Sequence, residues 1–151
     1  MSKSEIPRRL NTLAKQKAAR DCSEAAYKLH KASMEGDLAA VNRILAAGLV
    51  DINSSNIGGR TPLMEAARWG RSEIVQFLVR KGADISLVDD DGNNTLHWAC
   101  DGGYMETVKF VLSQNMAEMN ARNVDGETAA DMARFWGYQE VVDLLVSSVS
   151  Q

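Results

Sequence analysis

The sequence predicts an all-α solenoid: helix-turn-helix units stacked in one register, with short β-hairpin finger loops between them and an extra N-terminal helix in front. Three observations carry this reading. Gly36, Gly70, Gly103 and Gly137 recur at spacings of 34, 33 and 34, and self-similarity at a period near 33 residues marks a repeat array. A second series, Gly59, Gly92 and Gly126, keeps step at 33 and 34. Each interval also holds an apolar segment with helical periodicity, the mark of a face that only a neighbouring unit can bury.

The first element is a basic arm. Residues 1–24 carry Lys3, Arg8, Arg9, Lys15, Lys17 and Arg20 against three acidic groups, a charge of +3, whereas 25–151 carry −6. Residues 8–24 are helix-prone and polar, and are predicted to form a helix that shields the open face of the first unit, as terminal units of a solenoid must. The start lacks the apolar core of a secretory signal. Its basic, potentially amphipathic character leaves organelle targeting by residues 1–20 as the alternative, which Glu5 and the scarcity of serine count against. The acidic body repels phosphate backbones and so argues against nucleic-acid binding.

Four units follow, at about 25–58, 59–91, 92–125 and 126–151. The first is divergent: Tyr27-Lys28-Leu29-His30-Lys31-Ala32-Ser33-Met34-Glu35-Gly36, then Val41, Ile44 and Leu45, stopped at Gly48. In the second, Thr61 caps a helix whose first turn takes Pro62, where a missing N–H costs nothing. Ala66 and Ala67 are small enough for a neighbouring helix to approach, Gly70 ends the helix, and Ile74, Val75, Leu78 and Val79 give the next helix its apolar face. Gly82 stops that helix before extended Asp84-Ile85-Ser86 and turn-rich Asp89-Asp90-Asp91-Gly92, a projecting finger. The third unit repeats this with Asn94 as cap, small Ala99 and Cys100, and Val108, Val111 and Leu112; Asn115 is its stop, in a loop one residue longer. The fourth has Thr128, Ala133 and Gly137, then Val141, Val142, Leu144 and Leu145. Its end, Leu145 to Val149, is more apolar than a cap should be, so it is either weakly covered or joined to a larger assembly.

The chemistry-bearing candidates are few. His97 and Cys100 lie three apart on one helix, but the chain has only two histidines and no Cys-x-x-Cys, so no metal site is expected. With Gly92 at the sixth position of a calcium loop, Leu87 and Trp98 fall where an aspartate and a glutamate belong. No phosphate-binding loop, nucleophile elbow or triad is present. Catalysis and cofactors are therefore not expected. No apolar run approaches the roughly 20 residues of a membrane helix, and two cysteines in 151 residues suit a reducing compartment, cytosol or nucleus.

Thr61 to Ala67, reading Thr-Pro-Leu-Met-Glu-Ala-Ala, and Gly82-Ala83-Asp84 carry a resemblance to the ankyrin-repeat family over about residues 25–146. The resemblance implies a non-enzymatic protein-interaction module, an adaptor, scaffold or inhibitor, monomeric unless part of a complex, that holds a protein partner on its concave face. It makes His97 a structural residue that satisfies loop backbone groups. It also maps recognition onto the finger residues Ile57, Arg60, Asp90, Asp91, Asn93, Val124, Asp125 and Glu127. The inner-helix residues it adds are Lys31, Met34, Glu65, Arg68, Trp69, Trp98, Asp101, Met132, Phe135 and Trp136.

All three tryptophans fall in that set. The competing reading is that they pack on neighbouring units, more so for Trp69 and Trp136 than for Trp98. Arg60, Arg68 and Arg71 predict a basic rim beside an acidic one, and hence a partner of opposite polarity. An alternative function is a regulatory or targeting subunit, or a fragment, of a larger enzyme complex, with the last helix as contact; a third is an anion sensor built on those arginines. Glu73 to Leu78 and Phe135 to Tyr138 resemble the ankyrin segment preceding some Nudix hydrolase domains, but no Nudix glutamate box follows.

Overall fold

Four helix pairs stack along the chain. The computed structural model describes residues 5–114 and 118–149, with the side chains of 5–11, 17–22 and 149 outside that description. The inner helices are α1 (Glu5–Glu35), α3 (Pro62–Arg68), α5 (Thr95–Gly102) and α7 (Ala129–Trp136); the outer ones are α2 (Leu38–Ala46), α4 (Ser72–Arg80), α6 (Met105–Gln114) and α8 (Gln139–Val149). Contact is densest between successive inner helices and sparser between outer ones.

Each inner helix after the first begins with a reciprocal cap. Thr61 Oγ1 accepts from Met64 N at 3.3 Å while Thr61 N donates to Met64 Sδ. Asn94 Oδ1 accepts from His97 N at 2.8 Å and Asn94 N donates to His97 Nδ1. Thr128 N donates to Asp131 Oδ2 at 2.9 Å and Thr128 Oγ1 accepts from Asp131 N. The same backbone donor is thus satisfied by a sulfur, an imidazole and a carboxylate.

Small residues allow the close approach. Ala66, Ala67, Ala99, Cys100 and Ala133 are fully buried, with Val41, Ile74, Val75, Leu78, Val108, Val111 and Val141 forming the core behind them. Gly102 comes so close to the Arg68 carbonyl that a Cβ there would collide with it. Gly70 and Gly103 hold φ of +70° and +75° beneath the rings of Tyr104 and Tyr138, a left-handed turn that glycine adopts without steric cost.

Two expectations are corrected. The N-terminal helix is not a separate cap folded over the first repeat but the front of one 31-residue helix running into that repeat. No Gly or Pro lies between Arg8 and Glu35 to turn the chain. Among the described residues the outer end of repeat one presents a groove of about 730 Å³ lined by Ala25, Lys28, Ala32, Ala40, Ile44 and Leu49.

The fingers, expected as β-hairpins, form no strand among the described residues. Each is a turn closed by two backbone bonds, one across its base (Asn56 N to Arg60 O, Asp89 N to Asn93 O, Asn123 N to Glu127 O) and one within it (Gly59 N to Asn56 O, Gly92 N to Asp89 O, Gly126 N to Asn123 O). Neighbouring fingers are joined by single bonds, Asp90 N to Gly58 O and Val124 N to Asp91 O, too few for a ladder. The longer loop at 115–117 lies outside the described residues.

Candidate functional site

The concave face is organised around Trp98, half-buried in the first turn of α5. Its indole N–H donates to Asp89 Oδ2 at 2.9 Å. The Arg60 guanidinium lies 5.2 Å from its ring centroid and that of Arg68 5.1 Å, within the range of cation–π attraction. Arg60 Nε is 3.0 Å from Glu65 Oε1, and Arg68 Nε is 3.5 Å from Asp101 Oδ2. The first contact is close but poorly angled for a hydrogen bond, so it acts as an ion pair. Asp101 Oδ1 in turn accepts the Trp136 indole N–H at 2.8 Å. Trp136 meets Phe135 edge to face, centroids 5.1 Å apart. One chain of contacts thus crosses three repeats, from Glu65 through two arginines and Trp98 to Asp101, Trp136 and Phe135.

The expected contact residues divide into accessible and occupied ones. Ile57, Phe135, Trp136 and Trp69 are exposed, at 103%, 76%, 54% and 42%, as is Val124. Asp90, Asp91 and Asp125 are exposed at the finger tips, while Met132 and Glu127 are half-buried on the inner face. Ile57 sits on the first finger, apart from the cluster around Trp136, and near Tyr27 and His30.

Asn93 is a correction. It is only 6% exposed, its N–H donates to Asp89 Oδ1, and its Oδ1 accepts from Asn123 Nδ2 at 2.9 Å. It ties two fingers together and is buried. Glu65, also 6% exposed, is likewise taken by Arg60 and by Asn56 Nδ2. Trp98, read as the indole least given to internal packing, is the most firmly held of the three.

The basic rim is corrected too. Arg60 and Arg68 are neutralised by Glu65 and Asp101, and Arg71 Nε donates to the Met34 carbonyl in the neighbouring repeat at 3.0 Å. Two of the three arginines are thus paired with carboxylates, while Arg71 keeps its charge and the finger tips beyond it expose Asp90, Asp91 and Asp125.

The residue that sequence reasoning passed over is Asp89. Its Oδ1 accepts from the backbone N–H of Asp91 and of Asn93 while Oδ2 holds Trp98, so it fixes both finger and indole. Asn56 and Asn123 do the same backbone work at the same register. An Asn/Asp recurring at 56, 89 and 123 was the available signal.

His97 Nδ1 accepts from the Asn94 backbone N–H and Nε2 donates to the Glu127 carbonyl at 3.0 Å, the structural role the resemblance implies. Burial pushes the Cys100 thiol up to about 12, so it stays protonated as a small core side chain. Among the described residues no three His, Cys, Asp or Glu side chains gather where they could hold a metal ion, and no helix is long and apolar enough to cross a membrane.

Residues 29–79 match the family model described as ankyrin repeats (many copies), and 79–151 match ankyrin repeats (3 copies). The chain is 36% identical over 98 residues to mouse protein phosphatase 1 regulatory subunit 27, covering 65% of this chain and 63% of that protein. Against the human counterpart it is 34% identical over 110 residues, 73% of this chain and 70% of the relative. The human NAD-capped RNA hydrolase NUDT12 is 31% identical over 125 residues, 83% of this chain but 20% of the hydrolase.

Proposed function

Because this chain belongs to the ankyrin-repeat family, we propose that it works without catalysis, seating a protein partner on the inner face of α3, α5 and α7 and on the acidic finger tips. The observation that carries this is the pair Phe135 and Trp136, exposed at 76% and 54% on the inner face. Aromatic side chains left in water beside carboxylates are the material of binding hot spots, each worth on the order of 2 kcal/mol or more when central. The match to the hydrolase spans only a fifth of that enzyme, which supports a docking role over an enzymatic one.

The similarity to a protein phosphatase 1 regulatory subunit over about two thirds of its length supports a more specific reading, a regulatory subunit of a phosphatase. Biolayer interferometry with immobilised phosphatase catalytic subunit tests both. The wild-type chain should be retained, and Phe135→Ala with Trp136→Ala should lose at least about tenfold in affinity while the melting temperature falls by no more than a few degrees. Retention that ignores the double substitution would place docking elsewhere on the solenoid. Cytosol or nucleus is the proposed location, supported by the buried free thiol of Cys100; imaging of a tagged chain checks it.

A further inference from the structure

We infer that the cleft between α5 and α7 is a receptor for one arginine side chain of the partner. The inference deepens the docking reading and rests on it. The cleft is lined by Asp101, Glu127, Met132, Phe135 and Trp136 and has a volume of about 180 Å³. That is well below the roughly 300–1,000 Å³ of small-molecule sites and on the scale of a single side chain. Its surfaces are two aromatic rings and a thioether, and its polar groups are two carboxylates.

The neighbouring junction of the same molecule shows what an aromatic and carboxylate surface of this kind binds. Glu65, Trp98 and Met132 occupy one row of the inner helices, Arg68, Asp101 and Phe135 the next, and Arg60, Asn93 and Glu127 the matching finger position. Between repeats two and three, an indole is covered by the guanidinium groups of Arg60 and Arg68, which rest against the carboxylates of Glu65 and Asp101. Between repeats three and four the rows hold different residues, Asn93 for Arg60, Trp98 for Glu65, Asp101 for Arg68 and Phe135 for Asp101, yet aromatic rings and carboxylates again meet in one cleft, from Phe135, Trp136, Asp101 and Glu127. Among the described residues no cation lies over Phe135 or Trp136. One junction joins aromatic and carboxylate surface with its own guanidinium groups, and the next has aromatic and carboxylate surface without a cation over it.

The carboxylates retain capacity for it. Asp101 reaches its own arginine only at 3.5 Å and accepts one N–H from Trp136. Glu127 takes one side-chain bond, from Asn123 Nδ2 at 3.3 Å. An ionised carboxylate offers about four acceptor sites, so each can accept a further donor. A guanidinium suits the cleft better than an ammonium because it is planar, weakly hydrated, stacks on aromatic faces and presents paired donors. Asp90, Asp91 and Asp125 on the adjacent finger tips extend the same sign of charge along the approach.

The test is an NMR titration of the full chain with N-acetyl-arginine methylamide, and in parallel with the lysine and citrulline analogues. Arginine should shift the Trp136 indole N–H resonance saturably and leave the Trp98 indole, already covered by its own arginines, in place. The lysine analogue should bind several-fold more weakly and citrulline, which lacks the charge, should not saturate. Glu127→Gln and Phe135→Ala should each weaken the arginine response, with melting curves recorded to show both variants folded. Equal responses to lysine or citrulline, or no shift of Trp136 up to the solubility limit of the arginine probe, would overturn the assignment. That failure is separable from failure of the docking reading, since an aromatic patch used through apolar contact alone would still give phosphatase retention sensitive to Phe135→Ala and Trp136→Ala.

Discussion

His30 and His97 each set Nε2 against a finger carbonyl 30 residues on, Arg60 O at 3.1 Å and Glu127 O at 3.0 Å. Burial holds the His30 imidazole below its ordinary pKa, with Glu65 pulling it up and Arg60 pushing it down, so it serves as a neutral donor. In repeat two the same row holds Met64, fully buried, and its sulfur cannot donate. Among the described residues Asn93 O accepts only from Asp89 N. Met64→His should add the missing bond while its Nδ1 takes over the contact with Thr61 N, as His97 does for Asn94 N. A gain of about 0.5–1.5 kcal/mol would appear as a rise of roughly 2–4 °C in Tm. An unchanged or lower Tm would mean that the cavity cannot exchange a thioether for an imidazole. The position was legible from the alignment of repeats, but the carbonyl left with one donor was not, because it belongs to a finger 29 residues away.

Elements follow the sequence wherever local chemistry decides them. The start of α7 shows this: Thr128 N donates to Asp131 Oδ2 and Arg134 Nη1 to Asp131 Oδ1 at 3.0 Å. The backbone bond from Thr128, helped by Thr128 Oγ1 and the Arg134 charge, keeps the Asp131 carboxyl below the usual carboxylate range, with burial opposing. A carboxyl whose folded pKa is depressed stabilises the fold above its unfolded pKa, about 3.9, and that stabilisation is lost as pH falls towards the folded value. Asp131→Ala should therefore cost about 1 kcal/mol at neutral pH, and the Tm gap from wild type should close on acidification below about pH 4. A gap independent of pH would show that the cap works without its charge. The fusion of the arm with the first helix was legible in principle, since nothing in Arg8 to Glu35 breaks a helix; reading it as a separate cap imposed a requirement of solenoids on a segment lacking the residues to turn.

At the scale of the whole molecule the side chains of the inner face act as one network, and its members differ in what they hold. Trp98→Ala removes a 2.9 Å bond to Asp89 and the surface on which Arg60 and Arg68 rest; it should cost about 2 kcal/mol or more. Trp136→Ala removes a half-exposed ring and one bond to Asp101 and should cost under about 1 kcal/mol. Chemical denaturation of the two variants checks the order, and equal losses would dissolve the distinction between a held indole and an available one. The glycine spacing, the caps, the small residues and the apolar faces by themselves determined four stacked helix pairs, because each depends on neighbours a few residues away or on a period that translation repeats. Only the tertiary structure decided which charges were free and which indole was locked. Arg60 with Glu65, Arg68 with Asp101 and Asp89 with Trp98 are pairings between groups set by stacking geometry, and a Coulomb or hydrogen-bond partner depends on distance in space, which a one-dimensional pattern does not carry.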